Sequence, residues 1–149
     1  MPKKLVILTV FGAAMGWWEG VVVVYIRKIL QMNIPDLTRM VMGQVPSDLI
    51  SIEMTREAAT IIMLVTVALM LEKNWWRRLA VFLWAFALWD LIYYVALKIL
   101  IGWPPSFATI DCLFLIPVPW IAPVWVPVLV MSGFLAFSGW LFFKFKDVS

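Results

Sequence analysis

The sequence contains no histidine and only one cysteine, Cys112, among its 149 residues. Without histidine there is no His-ligated haem or zinc, no Ser-His-Asp triad and no imidazole proton relay. A single cysteine excludes an intramolecular disulfide and a metal cage built from cysteines. Carboxylate, tyrosine and carbonyl oxygens remain as ligands, and these suit a hard cation such as Mg²⁺, Ca²⁺ or Mn²⁺.

Charged residues are also scarce, at 14% of the chain, while apolar residues make up 64%. Soluble domains are about a quarter charged, and a soluble chain of this size could not bury so much apolar surface. The 12 basic and 9 acidic residues are too few and too scattered for a nucleic-acid interface. The composition therefore predicts an integral membrane protein whose main partner is the lipid bilayer, with no nucleic acid.

Four apolar stretches are long enough to cross a bilayer as helices, which takes about 20 residues each. They run approximately over residues 5–30, 48–71, 78–101 and 123–143. The stretches are too long for strands, and no alternation of period two is present. We therefore predict an all-α fold in which residues 1–149 form one domain, a bundle of four transmembrane helices.

The two connections on the outer side differ in character. Between Gln31 and Pro46, apolar residues at helical spacing predict a short interfacial helix lying on the membrane. Between Trp103 and Val128, six prolines argue against a regular helix, because each removes a backbone donor and clashes with the preceding turn. We expect a proline-rich irregular segment that is buried between helices or placed at the outer interface.

Basic residues predict the orientation, since lysine and arginine concentrate in cytoplasmic loops. Seven of them fall at the two termini and in the tight loop between the second and third spans: Lys3, Lys4, Lys73, Arg77, Arg78, Lys144 and Lys146. This pattern predicts a multi-pass protein with both termini in the cytoplasm.

Polar residues from three helices share one predicted depth. Glu19, Glu57 and Tyr93 each lie 14 residues from the inner edge of their span, about 21 Å into the bilayer, and Asp90 lies about one turn deeper. Other polar residues share a helix face with them at spacings of three or four. The candidate ligand- or ion-binding residues are therefore Glu19, Glu53, Arg56, Glu57, Asp90, Tyr93 and Tyr94.

The signs of the deep charges do not balance. Glu19, Glu57 and Asp90 are acidic, and Arg56 is the only base at similar depth. Arg27 and Lys98 lie nearer the interface, where long side chains can reach water. Two acids are left without a deep partner, so they are either protonated or hold a cation. Our main hypothesis is an acidic pocket in the outer half of the membrane that binds a proton, a hard cation or a cationic group, in transport or ligand binding.

Two alternatives remain open. In the first, the chain is an accessory subunit of a larger membrane complex, and the charges only fasten helices, Glu57 to Arg27 or Arg56 and Asp90 to Lys98 or a tyrosine hydroxyl. In the second, the chain is a membrane-embedded enzyme acting on lipid or quinone. No nucleophile, phosphate-binding loop or cofactor motif accompanies the acids, which favours a role without catalysis and without a resident cofactor.

Three glycines on the first helix, Gly12, Gly16 and Gly20, form a double GxxxG pattern. This spacing allows close backbone approach of a second helix, either within the chain or in a homo-oligomer. The ten tryptophans indicate packing and interfacial anchoring rather than a cofactor site.

Overall fold

The computed structural model describes residues 2–29 and 47–145. In these residues the elements follow in the order α1 (Pro2–Ile29), α2 (Ser47–Leu71), α3 (Trp75–Ile101), β1 (Ile110–Phe114), β2 (Trp120–Pro123) and α4 (Trp125–Lys144). All four helices are long and apolar enough to span a membrane, as in a multi-pass membrane protein. The prediction of four such helices is confirmed. The predicted interfacial helix between 31 and 46 lies outside the described residues.

Capping explains where α3 begins and ends. The helix begins at Trp75 rather than at 78, because the Asn74 side chain accepts hydrogen bonds from the backbone N–H groups of Trp76 (2.9 Å) and Arg77 (3.3 Å). It ends where Gly102 adopts a left-handed φ of 69° and its N–H donates to the Lys98 carbonyl. Glycine adopts this conformation without steric cost, which makes it a common helix terminator.

The start of α4 is set by the preceding loop. The helix begins at Trp125 rather than at 123, because Pro123 belongs to β2. The N–H groups of Val124 and Trp125 donate to the carbonyls of Thr109 and Phe107, both at 2.9 Å. Pro127 lies in the first turn, where a backbone N–H would have no acceptor within the helix, so the N–H that proline lacks costs no helical hydrogen bond.

Helix α3 is the centre of the bundle and contacts each of the other three helices. Half of the most apolar 18-residue stretch of α3 is buried, against 22–33% of the corresponding stretches of the other three helices. Helix α1 lies along α3 through its glycines: a Cβ at Gly16 would stand 2.3 Å from the Trp89 carbonyl oxygen, and one at Gly20 would stand 2.7 Å from the Ala96 Cβ. The glycine pattern thus faces a helix of the same chain.

Two apolar clusters hold the bundle together. One includes Leu8, Leu64 and Leu141, and the other includes Leu97 and Trp103. Along α3 the first cluster reaches Trp89 and the second begins at Tyr94, so that the acidic residue Asp90 lies at the boundary between them.

The proline-rich segment contains an antiparallel hairpin. The segment is therefore not irregular throughout, as the sequence had led us to expect. Ile110 pairs with Pro123, Asp111 with Ala122 and Cys112 with Ile121, and the register shifts between Cys112 and Phe114. Prolines 117 and 119 lie in the connection between the strands, and Pro123 ends β2. The hairpin satisfies backbone groups that the prolines prevent from forming a helix.

A cluster of charges joins three chain segments at one end of the bundle. The Arg77 guanidinium donates to both Glu72 carboxylate oxygens (2.9 and 2.8 Å) and to the Phe145 carbonyl (2.9 Å), and Lys4 lies 3.9 Å from Glu72. The hydrogen bonds from Arg77 lower the pKa of Glu72. These contacts place the start of α1, the α2–α3 turn and the end of α4 at the same end.

Candidate functional site

A cavity of about 80 Å³, lined by charged, aromatic and apolar side chains, lies between α1, α2, α3 and the chain from β1 onward. This volume accommodates several water molecules or a small ligand, since one water needs about 10–15 Å³ by this measure. The structure brings all seven candidate residues to its wall: Glu19, Glu53, Arg56, Glu57, Asp90, Tyr93 and Tyr94. Their role in binding a ligand stays a prediction.

Arg56 is shared between two acids. Its Nη1 donates to Glu19 on α1, and its Nη2 and Nε donate to Glu53 one turn away on α2, the latter at 2.9 Å. All three side chains are at least four-fifths buried. Arg56 therefore neutralises part of the charge and also fastens α1 to α2.

Glu57 fastens the proline-rich segment to α2. Its carboxylate accepts hydrogen bonds from the backbone N–H groups of Leu115 (3.1 and 3.0 Å) and Ile116 (3.2 Å). The pairing with Arg27 or Arg56 that we considered from the sequence is replaced by these backbone donors. The reason is that the N–H groups just beyond β1 need acceptors in an apolar region, and a carboxylate satisfies two of them at once.

Asp90 is the acid that the structure leaves incompletely satisfied. The residue is 8% exposed, and its buried Oδ2 has no hydrogen-bond partner in the part of the chain that is described. Neither partner considered from the sequence reaches it. Lys98 is exposed and donates to the carbonyls of Gly102 and Pro104, and the Tyr94 hydroxyl donates elsewhere.

Asp111 on β1 is a cavity residue that the sequence analysis missed. It is 3% exposed and accepts a 2.8 Å hydrogen bond from the Tyr94 hydroxyl. Burial raises the pKa of Asp111 to about 6, although the Tyr94 hydrogen bond and the nearby Arg27 charge oppose the shift. A signal was available, because Asp111 is the only acid between Asp90 and Asp147 and stands in an apolar stretch.

Arg27 is buried at the cavity wall, contrary to the expectation that it reaches the interface. It is 7% exposed, and its Cζ lies 4.4 Å from the centre of the Trp103 ring. The aromatic ring takes the place of water against the guanidinium. No guanidinium nitrogen has a hydrogen-bond partner within residues 2–29 and 47–145, and the same holds for the buried Trp89 Nε1.

The cavity is acidic as a whole. Five carboxylates line it, from Glu19, Glu53, Glu57, Asp90 and Asp111, against the guanidinium groups of Arg27 and Arg56. Cys112 also lies on the wall, but burial raises the pKa of its thiol to about 11, so the thiol is protonated at neutral pH and is a poor nucleophile. The arrangement is suited to attracting a cation or a proton rather than to covalent chemistry.

The described residues contain no group of three or more Asp, Glu, His or Cys side chains arranged to hold a metal ion. The carboxylates are instead divided between different partners: Arg56 for two of them, backbone N–H groups for Glu57 and a hydroxyl for Asp111. The Asp90 Oδ2, in contrast, is buried without a hydrogen-bond partner in the described residues.

Comparison with known proteins assigns no activity to this geometry. No family model, no curated protein and no solved structure matches the chain. The case for a function therefore rests on the side chains of the cavity.

Proposed function

We propose that this protein is a small multi-pass membrane protein whose acidic cavity binds a cationic group. The observation that carries the proposal is the buried Asp90 carboxylate: Asp90 lines the cavity, and its Oδ2 has no hydrogen-bond partner in the described chain. A carboxylate removed from water is costly unless it is paired or protonated. A bound cation or a proton supplies what the surrounding residues do not.

The wall around Asp90 favours an organic ammonium group over the proton and the hard cation that the sequence left open. Trp89, Tyr93 and Tyr94 line the cavity beside the carboxylate. Aromatic faces attract cations, and one carboxylate oxygen accepts a charge-assisted hydrogen bond from an ammonium. Hard metal ions prefer six or more oxygen ligands, which suits this aromatic wall less well.

The same proposal includes an orientation. The charge cluster around Glu72 and Arg77 marks one end of the bundle, and the cavity lies toward the other end of α1, α2 and α3. By the excess of lysine and arginine at the first end, we propose that it faces the cytoplasm with both termini. The cavity then lies in the outer half of the membrane.

A thermal-shift experiment on the purified full chain in detergent tests the binding proposal. Melting temperature is measured against increasing methylammonium chloride for the wild type, for Asp90→Asn and for the matched control Asp48→Asn, whose side chain is exposed at the start of α2. We expect methylammonium to raise the melting temperature of the wild type and of the control, but not that of Asp90→Asn. Binding stabilises only the form that holds the site.

The same experiment with Mg²⁺, with Ca²⁺ and at lower pH distinguishes an ammonium group from a hard cation and from a proton. Stabilisation by Mg²⁺ or Ca²⁺ but not by methylammonium, again lost in Asp90→Asn, would replace the ammonium by a hard cation. Stabilisation only on acidification, lost in the same variant, would indicate a proton. No response to any of them would contradict a binding role for the cavity.

A second candidate function is a structural accessory subunit, and it is favoured by a different observation. The bonds of Arg56 to Glu19 on α1, and of Glu57 to the backbone beyond β1, are interhelical or inter-element fasteners. If fastening is their whole role, mild solubilisation of native membranes should recover the chain with stoichiometric partners. A stable, homogeneous monomer that responds to ligands would exclude this candidate.

A further inference from the structure

The cavity carries a second unsatisfied charge, of the opposite sign to Asp90. Arg27 lines the same wall and is 7% exposed. None of its three guanidinium nitrogens has a hydrogen-bond partner within the described residues. From this pair of unpaired opposite charges we infer that the ligand is a zwitterion, with its ammonium group at Asp90 and its carboxylate or phosphate group at Arg27. The inference rests on the proposed function and names its ligand class.

The setting of Arg27 leaves its hydrogen-bonding edge free. The centre of the Trp103 ring lies 4.4 Å from the guanidinium carbon. A contact of a cation with an aromatic ring uses no N–H donor in a conventional hydrogen bond, and guanidinium N–H donors can bind two oxygens of a carboxylate or phosphate at once. The side chain is thus held in place by a contact that does not consume its donors.

Pairing among residues 2–29 and 47–145 does not account for the two charges. Asp111 is near enough to Arg27 for their charges to interact, but its hydrogen bond in the structure comes from the Tyr94 hydroxyl. Arg56 is already bonded to Glu19 and Glu53. Buried donors and acceptors without partners are unfavourable, and charged ones more so than neutral ones. One small molecule that carries both charges can satisfy both groups.

Trp89 adds a third unsatisfied group at the same wall. Its Nε1 is buried without a hydrogen-bond partner in the described chain, next in sequence to Asp90. An indole N–H is a donor only, so it can serve an oxygen of the ligand's anionic group or a water beside it. Within the described chain, the buried unsatisfied atoms of the cavity residues are therefore one acceptor, on Asp90, and several donors, on Arg27 and Trp89. This is the complement of an ammonium joined to an anion.

The chemistry has two sources, a free amino-acid-like molecule and the headgroup of an ethanolamine phospholipid. Isothermal titration of the purified full chain distinguishes the ligand class, using methylammonium, acetate, glycine, β-alanine, γ-aminobutyrate and phosphoethanolamine as separate probes. The three amino acids differ only in the separation between their charges. We expect at least one of the zwitterions to bind the wild type at least ten times more tightly than methylammonium does.

Variants assign the anionic end. Arg27→Gln should weaken binding of the best zwitterion roughly ten- to a hundredfold, the range of a lost charge-assisted hydrogen bond, whereas methylammonium binding should not weaken, because the variant removes a positive charge from the cavity. Lys28→Gln is the matched control, because Lys28 is exposed on the neighbouring position of α1. If Arg27→Gln does not fold, Arg27→Lys keeps the charge without the bidentate edge and should weaken zwitterion binding less.

An experiment in lipid nanodiscs tests the second source, the headgroup of an ethanolamine phospholipid. Nanodiscs of phosphatidylethanolamine are compared with nanodiscs of phosphatidylglycerol, and a higher melting temperature in the former that Arg27→Gln removes assigns a lipid headgroup. If methylammonium binds but no zwitterion or ethanolamine lipid is preferred, the zwitterion inference is overturned and the proposed function stands. If methylammonium also fails to bind, both are overturned.

Discussion

The acids around the cavity differ in what satisfies them, and this decides what each one does. Glu19 and Glu53 share a guanidinium, Glu57 accepts from backbone N–H groups, and Asp111 accepts from a tyrosine hydroxyl. Asp90 keeps an unsatisfied oxygen in the described structure. The first four therefore build the cavity, and Asp90 is the residue at which a ligand is expected.

Glu57 should control the order of the proline-rich segment beyond β1. In Glu57→Ala the N–H groups of Leu115 and Ile116 lose their acceptor, so we expect both amides to exchange hydrogen with solvent much faster than in the wild type. The free energy of unfolding should fall by about 1–3 kcal/mol. Hydrogen exchange measured by mass spectrometry checks this, with Asp48→Asn as the control. Unchanged protection at 115 and 116 would show that the carboxylate is not their acceptor.

Asp111 should make stability depend on pH. Its pKa of about 6 in the folded protein lies above the ordinary value, so the folded state holds a proton that the unfolded chain has already lost. Stability should therefore fall as pH rises from about 4 to about 6, by roughly 1–3 kcal/mol. Asp111→Asn should flatten this dependence. Melting temperature measured across that range tests it, and equal slopes for variant and wild type would contradict it.

Single residues also show how far the site could be read from the sequence. Depth and helical spacing were sufficient to select seven residues that the structure places around one cavity. The hydrogen-bond partners of these residues were not predictable. Matching acidic with basic side chains leaves out the backbone N–H donors that Glu57 binds. The burial of Arg27 depends on Trp103, which lies far away in the sequence and comes near only through the fold.

Among the elements, the contact between α1 and α3 depends most on small residues. The backbone of Trp89 approaches Gly16 so closely that an added methyl group would stand 2.3 Å from a carbonyl oxygen. Since backbone cannot yield as a flexible side chain does, the two helices would have to move apart. This contact also sets the distance between Glu19 on α1 and Asp90 on α3.

Gly16→Ala should therefore destabilise the fold by about 1–3 kcal/mol, the usual cost of overpacking. Gly133→Ala on α4 is the matched control, because nothing lies within 4 Å of its added Cβ. For the control we expect a neutral or slightly stabilising effect of up to about 1 kcal/mol, since alanine favours helix more than glycine does. Melting temperatures in detergent test the pair. Equal effects of the two substitutions would contradict the close approach of α1 to α3.

The hairpin was the element that the sequence did not indicate. The apolar segment with its prolines excluded a helix, but the pairing of β1 with β2 depends on register and on acceptors from other parts of the chain. The helices, in contrast, were predictable, since a long apolar run in lipid must satisfy its backbone within itself.

For the whole molecule, the orientation is the coarsest prediction and is simple to test. In a Cys112→Ser background, single substitutions Lys73→Cys and Phe107→Cys place thiols at exposed positions in the α2–α3 turn and in the loop before β1. With an impermeant maleimide on intact cells, we expect labelling at 107 and not at 73, and labelling of both after permeabilisation. The reverse pattern would place the termini outside.

The central claim is that the acidic cavity binds a cationic group through Asp90, a lining residue whose Oδ2 has no hydrogen-bond partner in the described chain. Calorimetric titration of methylammonium into the purified wild type and into Asp90→Asn tests this most directly. The prediction is saturable binding to the wild type, retained by Asp48→Asn and lost or weakened at least tenfold by Asp90→Asn. Equal binding to wild type and Asp90→Asn, or no binding to either, would contradict it.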